Sequence, residues 1–341
     1  MKRLLLVLSA TVLAFSASAA TPKKKVAPKA PAKKVAVVKP AAPVETAHRK
    51  TPYVGAISVD AATGRVLFED YADAEAYPAS VTKLMTLLLV MEDVKAGKYG
   101  YDDKVEATAD AYRSEPSWVG IKVGEKMSVR DLCAALMVES ANDAAIVLGV
   151  HSAGSFDAFI ARMNARAAEL GMKNTKYYNP NGLPPNAGKR YPWKSFNVST
   201  ARDQMILARA LVTKPEVIKL TSIKTCDLVK TADGYRVAVT RRTNEPTVET
   251  QPADGEKIVK QLRNHNNVMR MDKLKILNPD GKEAVDGLKT GYIDAGGSSV
   301  VLTGMRKGKR AIVVVLGSSS AKERDAQAQR LMNDALGSLA W

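Results

Sequence analysis

Ser80 and Lys83 stand three residues apart in Ser80-Val81-Thr82-Lys83, at the head of a segment with helical hydrophobic spacing. Residues at i and i+3 share one helix face, so a hydroxyl and an amine are presented together. A serine hydroxyl is a weak nucleophile until a neighbouring base takes its proton. A lysine amine can be that base only where burial or a nearby positive charge discourages its ammonium form. Its ordinary pKa, roughly 10.4, must fall by several units for the amine to work near neutrality. A helix N-terminus also leaves the backbone N–H of Ser80 free to steady an oxyanion growing on an attacked carbonyl. Taken alone, the spacing equally fits a serine N-cap followed by an exposed lysine.

Two further groups narrow the choice. Ser140 and Asn142 put polar side chains into the otherwise apolar helical stretch around Leu136 to Ala145, where they need partners, and a cleft would supply them. Lys289-Thr290-Gly291 lies on a strand-like stretch ending at Tyr292. An inward-facing Lys289 would hold a carboxylate and push down the pKa of a nearby Lys83, and Gly291 would let a substrate backbone approach closely. Other chemistries are poorly supplied. The three histidines are His48, in a proline-rich stretch, and His151 and His265, for which surface or capping roles are expected. No HExxH or paired metal-ligand spacing occurs, and no GxxxxGK[ST] loop, so neither a zinc hydrolase nor a nucleotide-phosphate cradle is expected. Two cysteines are too few for a disulfide framework, and Cys133 reads as a small buried hydrophobe.

The elements that must carry these groups are legible from periodicity and turn residues. Tyr53 to Val59 and Arg65 to Glu69 form a hairpin about Asp60-Ala61-Ala62-Thr63-Gly64. Helices are predicted from Val81 to Lys95, Val129 to His151, Phe156 to Leu170 and Thr200 to Thr213, the last stopped by Pro215. Three strands follow, Glu283 to Tyr292, Ser298 to Arg306 and Arg310 to Leu316, then a closing helix from Lys322 to Leu336. The polar stretch from Lys230 to Glu256 reads as an exposed insertion. Strands at both chain ends around a helical middle predict an α+β fold, an antiparallel sheet from both termini with helices packed around it.

The first fifty residues have a separate character. Met1-Lys2-Arg3, the apolar run Leu4 to Phe15 and Ala17-Ser18-Ala19 predict a signal peptide over residues 1–19. The run is shorter than the roughly 20 apolar residues of a membrane span. The protein is therefore expected to be exported to the periplasm or cell envelope, soluble or peripherally associated. Residues 20–50, rich in proline and lysine, predict a semi-rigid basic linker that makes weak electrostatic contact with anionic envelope polymers. Of the net charge of +16 over 341 residues, residues 1–50 hold +10, leaving +6 on residues 51–341. The basicity thus belongs to leader and linker, aromatics are sparse at 6%, and a nucleic-acid partner is not expected.

In order, SxxK, SxN and KTG form the set found in penicillin-recognising serine enzymes. Tyr77-Pro78-Ala79-Ser80-Val81-Thr82-Lys83, Glu139-Ser140-Ala141-Asn142-Asp143 and Asp286-Gly287-Leu288-Lys289-Thr290-Gly291-Tyr292 closely resemble the low-molecular-mass D-alanyl-D-alanine carboxypeptidase family. Asn179-Pro180-Asn181-Gly182-Leu183 and Ser199-Thr200-Ala201-Arg202-Asp203 look like two more family segments. The resemblance covers about residues 51–340 and implies a penicillin-binding, β-lactamase-like transpeptidase fold. It implies Ser80 as the acylated nucleophile, Lys83 as its base, and Ser140 as a proton relay touching both lysines. Asn142 would hold the substrate backbone, Lys289 and Thr290 the terminal carboxylate, and the N–H groups of Tyr292 and Ser80 the oxyanion. Substrates would be peptidoglycan stem peptides ending in D-Ala-D-Ala, and β-lactams would inhibit; the resemblance implies no metal or organic cofactor. Asn181 stands where many members have His, Ile293 where Thr is common, and Ala141 where Gly is frequent. Residues 51–341 are expected to be a lone catalytic domain, without the C-terminal β domain or membrane-anchoring helix of many members. Some one-domain relatives cleave D,D-crosslinks, so an endopeptidase is the alternative reading. A β-lactamase is weakened because no clear ExxLN-type segment supplies a deacylating Glu, and a non-catalytic wall-binding protein is the remaining one.

Overall fold

The computed structural model describes residues 51–109, 111, 115–185 and 195–340; the expected signal peptide and basic linker lie outside the described residues. The chain begins with the hairpin β1 (Gly55–Asp60) and β2 (Val66–Asp70), turned at Gly64 in a left-handed conformation. A 3-10 turn, Ala79–Thr82, leads into α1 (Lys83–Lys95). The short pair β3 (Lys104–Glu106) and β4 (Lys126–Ser128) precedes α2 (Val129–Val138), α3 (Asn142–Ala153) and α4 (Phe156–Leu170). Then come α5 (Ala201–Val212), α6 (Pro215–Thr221), and the strands β5 (Ile223–Lys230), β6 (Tyr235–Arg242) and β7 (Lys257–Arg263). One short helical turn, α7 (Asn267–Arg270), precedes β8 (Val285–Ile293), β9 (Gly297–Arg306), β10 (Lys309–Ser318) and the closing α8 (Ala321–Leu339).

Both chain ends build one antiparallel sheet, in the order β2-β1-β10-β9-β8. The central strand β10 is buried on both faces. Ala311, Val313 and Val315 pack with Leu331, Met332 and Leu336 of α8, while Ile312, Val314 and Leu316 join the helical core. That is the period-2 alternation of a strand covered on both sides. The sheet brings β8, with Lys289 and Thr290, against the turn that carries Ser80. Helix α1 lies in the middle of the helical layer and is buried almost all round, including Lys83 itself. No single helix among the described residues is long and apolar enough to cross a membrane.

Three readings of the elements need correction. The single helix expected over Val129 to His151 is two, α2 and α3, broken where Ser140 takes φ 62°. Left-handed backbone at a non-glycine residue cannot continue a helix, so Ser140 and Asn142 occupy a corner instead of a helix interior. The supposed exposed insertion contains β6 and leads into β7; they flank β5 in a three-stranded sheet ordered β6-β5-β7. Tyr235, Val237 and Val239 of β6 pack on the core, while Arg236 between them pairs with Glu256. Pro215, read as a stop, is also the first residue of α6, where its missing N–H costs nothing.

Candidate active site

The turn bearing Ser80 is bent by Ala79, at φ 50°, and closed by the Val81 N–H donating to the Pro78 carbonyl at 3.1 Å. One turn later Lys83 is fully buried. Its Nζ lies 2.8 Å from Ser80 Oγ, 2.7 Å from Asn142 Oδ1 and 2.8 Å from the carbonyl of Asn181. Two of these three partners can only accept, whereas a serine hydroxyl can also donate. A neutral amine therefore gives its two N–H bonds to Asn142 and Asn181 and turns its lone pair to the Ser80 O–H. Burial holds the Lys83 amine well below the usual lysine range, the charge of Lys289 adds to the effect, and Asp143 opposes it.

The Asn181 contact comes from a segment whose folding is set by its own side chains. Asn179 Oδ1 accepts from the Gly182 N–H at 2.6 Å, and Asn197 Nδ2 bridges the Asn179 carbonyl and Thr82 Oγ1, each at 3.0 Å. Thr86 Oγ1 donates to the Pro180 carbonyl at 2.7 Å. Gly182, at φ 84°, lies so close to the nucleophile turn that an added Cβ would stand 1.8 Å from the Ala79 carbonyl oxygen. The segment is thereby pressed onto the Ser80 turn with one carbonyl aimed at Lys83.

A cleft of about 390 Å³ opens in front of Ser80, lined also by Ser140, Asn142, Thr290, Gly291, Tyr292, His265 and Arg324. Lys289 is buried behind it. Burial, reinforced by Arg324, brings its amine down to about 7. A separate cavity of about 240 Å³, between α2, α6 and β6, shares no lining residue with the cleft. Among the described residues, no group of His, Cys, Asp or Glu side chains is placed to hold a metal ion.

All eight expected site residues thus meet around one cleft, but four contacts differ from expectation. Ser140 makes no hydrogen bond to either lysine, because Lys83 is engaged by Ser80, Asn142 and Asn181 while the Lys289 amine donates to the Thr290 carbonyl at 2.9 Å. The Asn142 amide carries two contacts the sequence does not foretell: Oδ1 accepts from Lys83, and Nδ2 donates one of its two N–H bonds to the Glu115 carbonyl at 2.7 Å, leaving the other for a substrate. Gly291 is needed by the chain itself, since an added Cβ would lie 2.5 Å from the Pro78 carbonyl and 3.1 Å from the Ser80 nitrogen. The Tyr292 ring is 62% exposed, its hydroxyl donating to Asp294 at 2.7 Å, so only its backbone, paired with Ser298, belongs to the site wall.

Sequence reasoning missed Asn181 as a Lys83 partner, Arg324, and the place of His265. His265 is exposed, as expected of a surface residue, and it also stands in the cleft wall between buried Asn264 and Asn266; partial loss of water there, with the charges of Lys289 and Lys83, holds its imidazole below the usual range. The polar run Arg263 to Asn267 held the signal, as two buried asparagines around an outward histidine are a built presentation. Arg324 left no local signal; it is buried in the first turn of α8, paired with Asp325. Cys133 and Cys226 are both buried free thiols, and burial pushes each up, Cys133 to about 12. Trp118, beside cleft-lining Ser117, is 43% exposed and is not a core residue.

The fold is that of the solved penicillin-binding-protein structures to which the chain is similar. The chain belongs to the D-alanyl-D-alanine carboxypeptidase family, whose model matches residues 45–320. It is 28% identical over 278 residues to the D-alanyl-D-alanine carboxypeptidase DacF of Bacillus subtilis, covering 82% of this chain and 60% of that protein. The chain therefore spans about three fifths of the length of such curated relatives. Among solved structures it is similar to the D-alanyl-D-alanine carboxypeptidase DacD of Francisella tularensis, with TM-score 0.70, 29% identity, and 89% and 74% of the two chains covered. A penicillin-binding protein of Listeria monocytogenes in its ampicillin-bound form gives TM-score 0.62 at 29% identity, covering 83% and 97%.

Proposed function

We propose that this protein is a serine-type D-Ala-D-Ala carboxypeptidase that removes the terminal D-Ala of peptidoglycan stem peptides through an acyl-enzyme on Ser80. The observation that carries the reading is the buried Lys83 amine, 2.8 Å from the hydroxyl of Ser80 and held on its other side by two pure acceptors. Lys83 Nζ takes the Ser80 proton as Oγ bonds to the carbonyl carbon of the penultimate D-Ala. The oxyanion lies against the N–H groups of Ser80 and Tyr292. Collapse breaks the C–N bond as the departing amine takes the proton that Lys83 accepted, which leaves Lys83 neutral again; Ser140, on the cleft wall, relays it once the bound substrate draws its hydroxyl between the two amines. Water then attacks the ester, with Lys83 again accepting the proton, and regenerates Ser80.

Thr290 and the positive charges of Lys289 and Arg324 supply the holding site for the substrate's terminal carboxylate, and β-lactams, which carry a carboxylate beside a strained amide, occupy the same cleft. On this reading residues 1–19 direct export and are removed, residues 20–50 tether the enzyme loosely to anionic envelope polymers, and residues 51–341 carry the catalysis. The purified protein should release free D-Ala from a pentapeptide stem, and Ser80→Ala should lower that release by at least about a thousandfold. Cleavage of crosslinked dimers with no D-Ala release would replace this reading by an endopeptidase. Inertness toward every D-Ala-D-Ala substrate would overturn both.

A further inference from the structure

Residues 115–121, of which Pro116 and Ser117 line the cleft, meet the start of α3 and bear on which way Asn142 faces. The Asn142 backbone N–H donates to the Ser117 carbonyl at 2.8 Å, and its Nδ2 donates to the Glu115 carbonyl at 2.7 Å. With the amide nitrogen committed to Glu115, the amide oxygen is left facing Lys83 Nζ. The same wall is gripped a second time by the next residue. The Asp143 carboxylate, buried at the start of α3, accepts from the N–H groups of Val119 at 3.2 Å, Gly120 at 2.8 Å and Ile121 at 3.3 Å, as well as from that of Ala144 at 2.9 Å. Burial raises the Asp143 pKa, and the backbone N–H donors oppose that rise by favouring the carboxylate.

We propose that Asp143 is a positioning residue of the acylation machinery: by clamping Val119 to Ile121 it holds the wall whose Glu115 carbonyl fixes the Asn142 amide with its oxygen on the Lys83 amine. The inference rests on Ser80 and Lys83 acting as nucleophile and base. Asp143 touches neither the nucleophile nor the space in front of it, so its effect is exerted through Asn142 and through its charge. The charged and titratable groups facing Lys83 are Lys289 from β8, His265 from the loop before α7, and Asp143 from α3; Asp143 itself also faces Tyr235 of β6. Of these Asp143 alone favours the ammonium form of Lys83. Its removal should therefore let Lys83 lose its proton at lower pH, whereas a purely structural role would slow the reaction without moving its pH dependence.

The test measures acylation of Ser80 by a fluorescent penicillin across pH for the wild type and Asp143→Asn. The expected result is a plateau at least about tenfold lower, near 1.4 kcal/mol of lost positioning, with the acid limb displaced to lower pH by about one unit. An unchanged plateau, or a lower plateau with the limb unmoved, overturns the inference while leaving the carboxypeptidase reading intact. A wild type that penicillin never acylates overturns that reading first. Amide hydrogen exchange on the wild type gives an arm independent of any variant. The Val119, Gly120 and Ile121 amides should exchange at least about a hundredfold more slowly than an unstructured chain, and exchange at unstructured rates overturns the clamp.

Discussion

Lys83 and Lys289 share a cleft wall and are discharged to different degrees, and the difference divides their labour. Lys83 must be neutral to take the Ser80 proton, so acylation should rise with pH through the depressed pKa of that amine. Lys289, at about 7, must be charged to hold a carboxylate, so the rate should fall again above neutrality. A carboxylate-bearing β-lactam is expected to show this bell, while an activated ester without a carboxylate should keep the rising limb and lose the falling one. Retention of both limbs with the ester would remove Lys289 from carboxylate binding. At this scale the sequence was informative wherever function sits in side-chain type and close spacing. Ser80 and Lys83 could be read because i and i+3 share a helix face. The Asn181 carbonyl could not, since any residue offers one and only the fold aims it. Nor could the demand that the nucleophile turn itself places on Gly291.

The elements position the site through close backbone approach. Segment 179–183 and strand β8 both press on the turn Ala79–Thr82, and each does so at a glycine. Gly291→Ala and Gly182→Ala should each slow acylation by at least about a hundredfold, because Cβ atoms 2.5 Å and 1.8 Å from backbone oxygens must displace the nucleophile turn. Gly337→Ala is the matching control. Nothing lies within 4 Å of its added Cβ in α8, so it should stabilise the fold by about 0.5–1 kcal/mol and leave acylation unchanged. Penicillin labelling rates beside thermal melts separate these outcomes; normal labelling in Gly291→Ala would contradict the packing account. Helices and sheet strands with clean periodicity, such as α4 and β10, were legible in the sequence. The break at Ser140 was not, because Leu136 to Ala145 is apolar enough to propagate a helix and only tertiary contacts through Asn142 and Asp143 hold the corner. Strand β6 was obscured by Arg236, Arg241 and Arg242, whose charges mask the alternation of Tyr235, Val237 and Val239.

For the whole molecule, the buried lysines are a stability cost retained for chemistry. In the unfolded chain Lys289 titrates near the ordinary lysine value of 10.5, in the folded protein at about 7. Between these values the unfolded state binds more protons, so stability rises with pH across that window and the full penalty is present below about 7. Lys289→Met should therefore raise the melting temperature, by on the order of 3 kcal/mol of stability near neutrality, and flatten its rise toward alkaline pH while abolishing acylation. A melting temperature below that of the wild type would show that the amine is paid for by contacts the methionine loses. The charge of the chain is equally divided by role. Removing residues 20–50 takes away +8 of the net +16, and salt-sensitive retention on an anionic polymer matrix should go with it while the acylation rate stays the same.

The most direct test is to label the purified protein with a fluorescent penicillin, digest it, and locate the modified residue by mass. The account predicts a single acylated peptide with the adduct on Ser80, formed in the wild type and absent from both Ser80→Ala and Lys83→Met. An adduct on any other residue, or undiminished labelling of Ser80 once the Lys83 amine is gone, would contradict it.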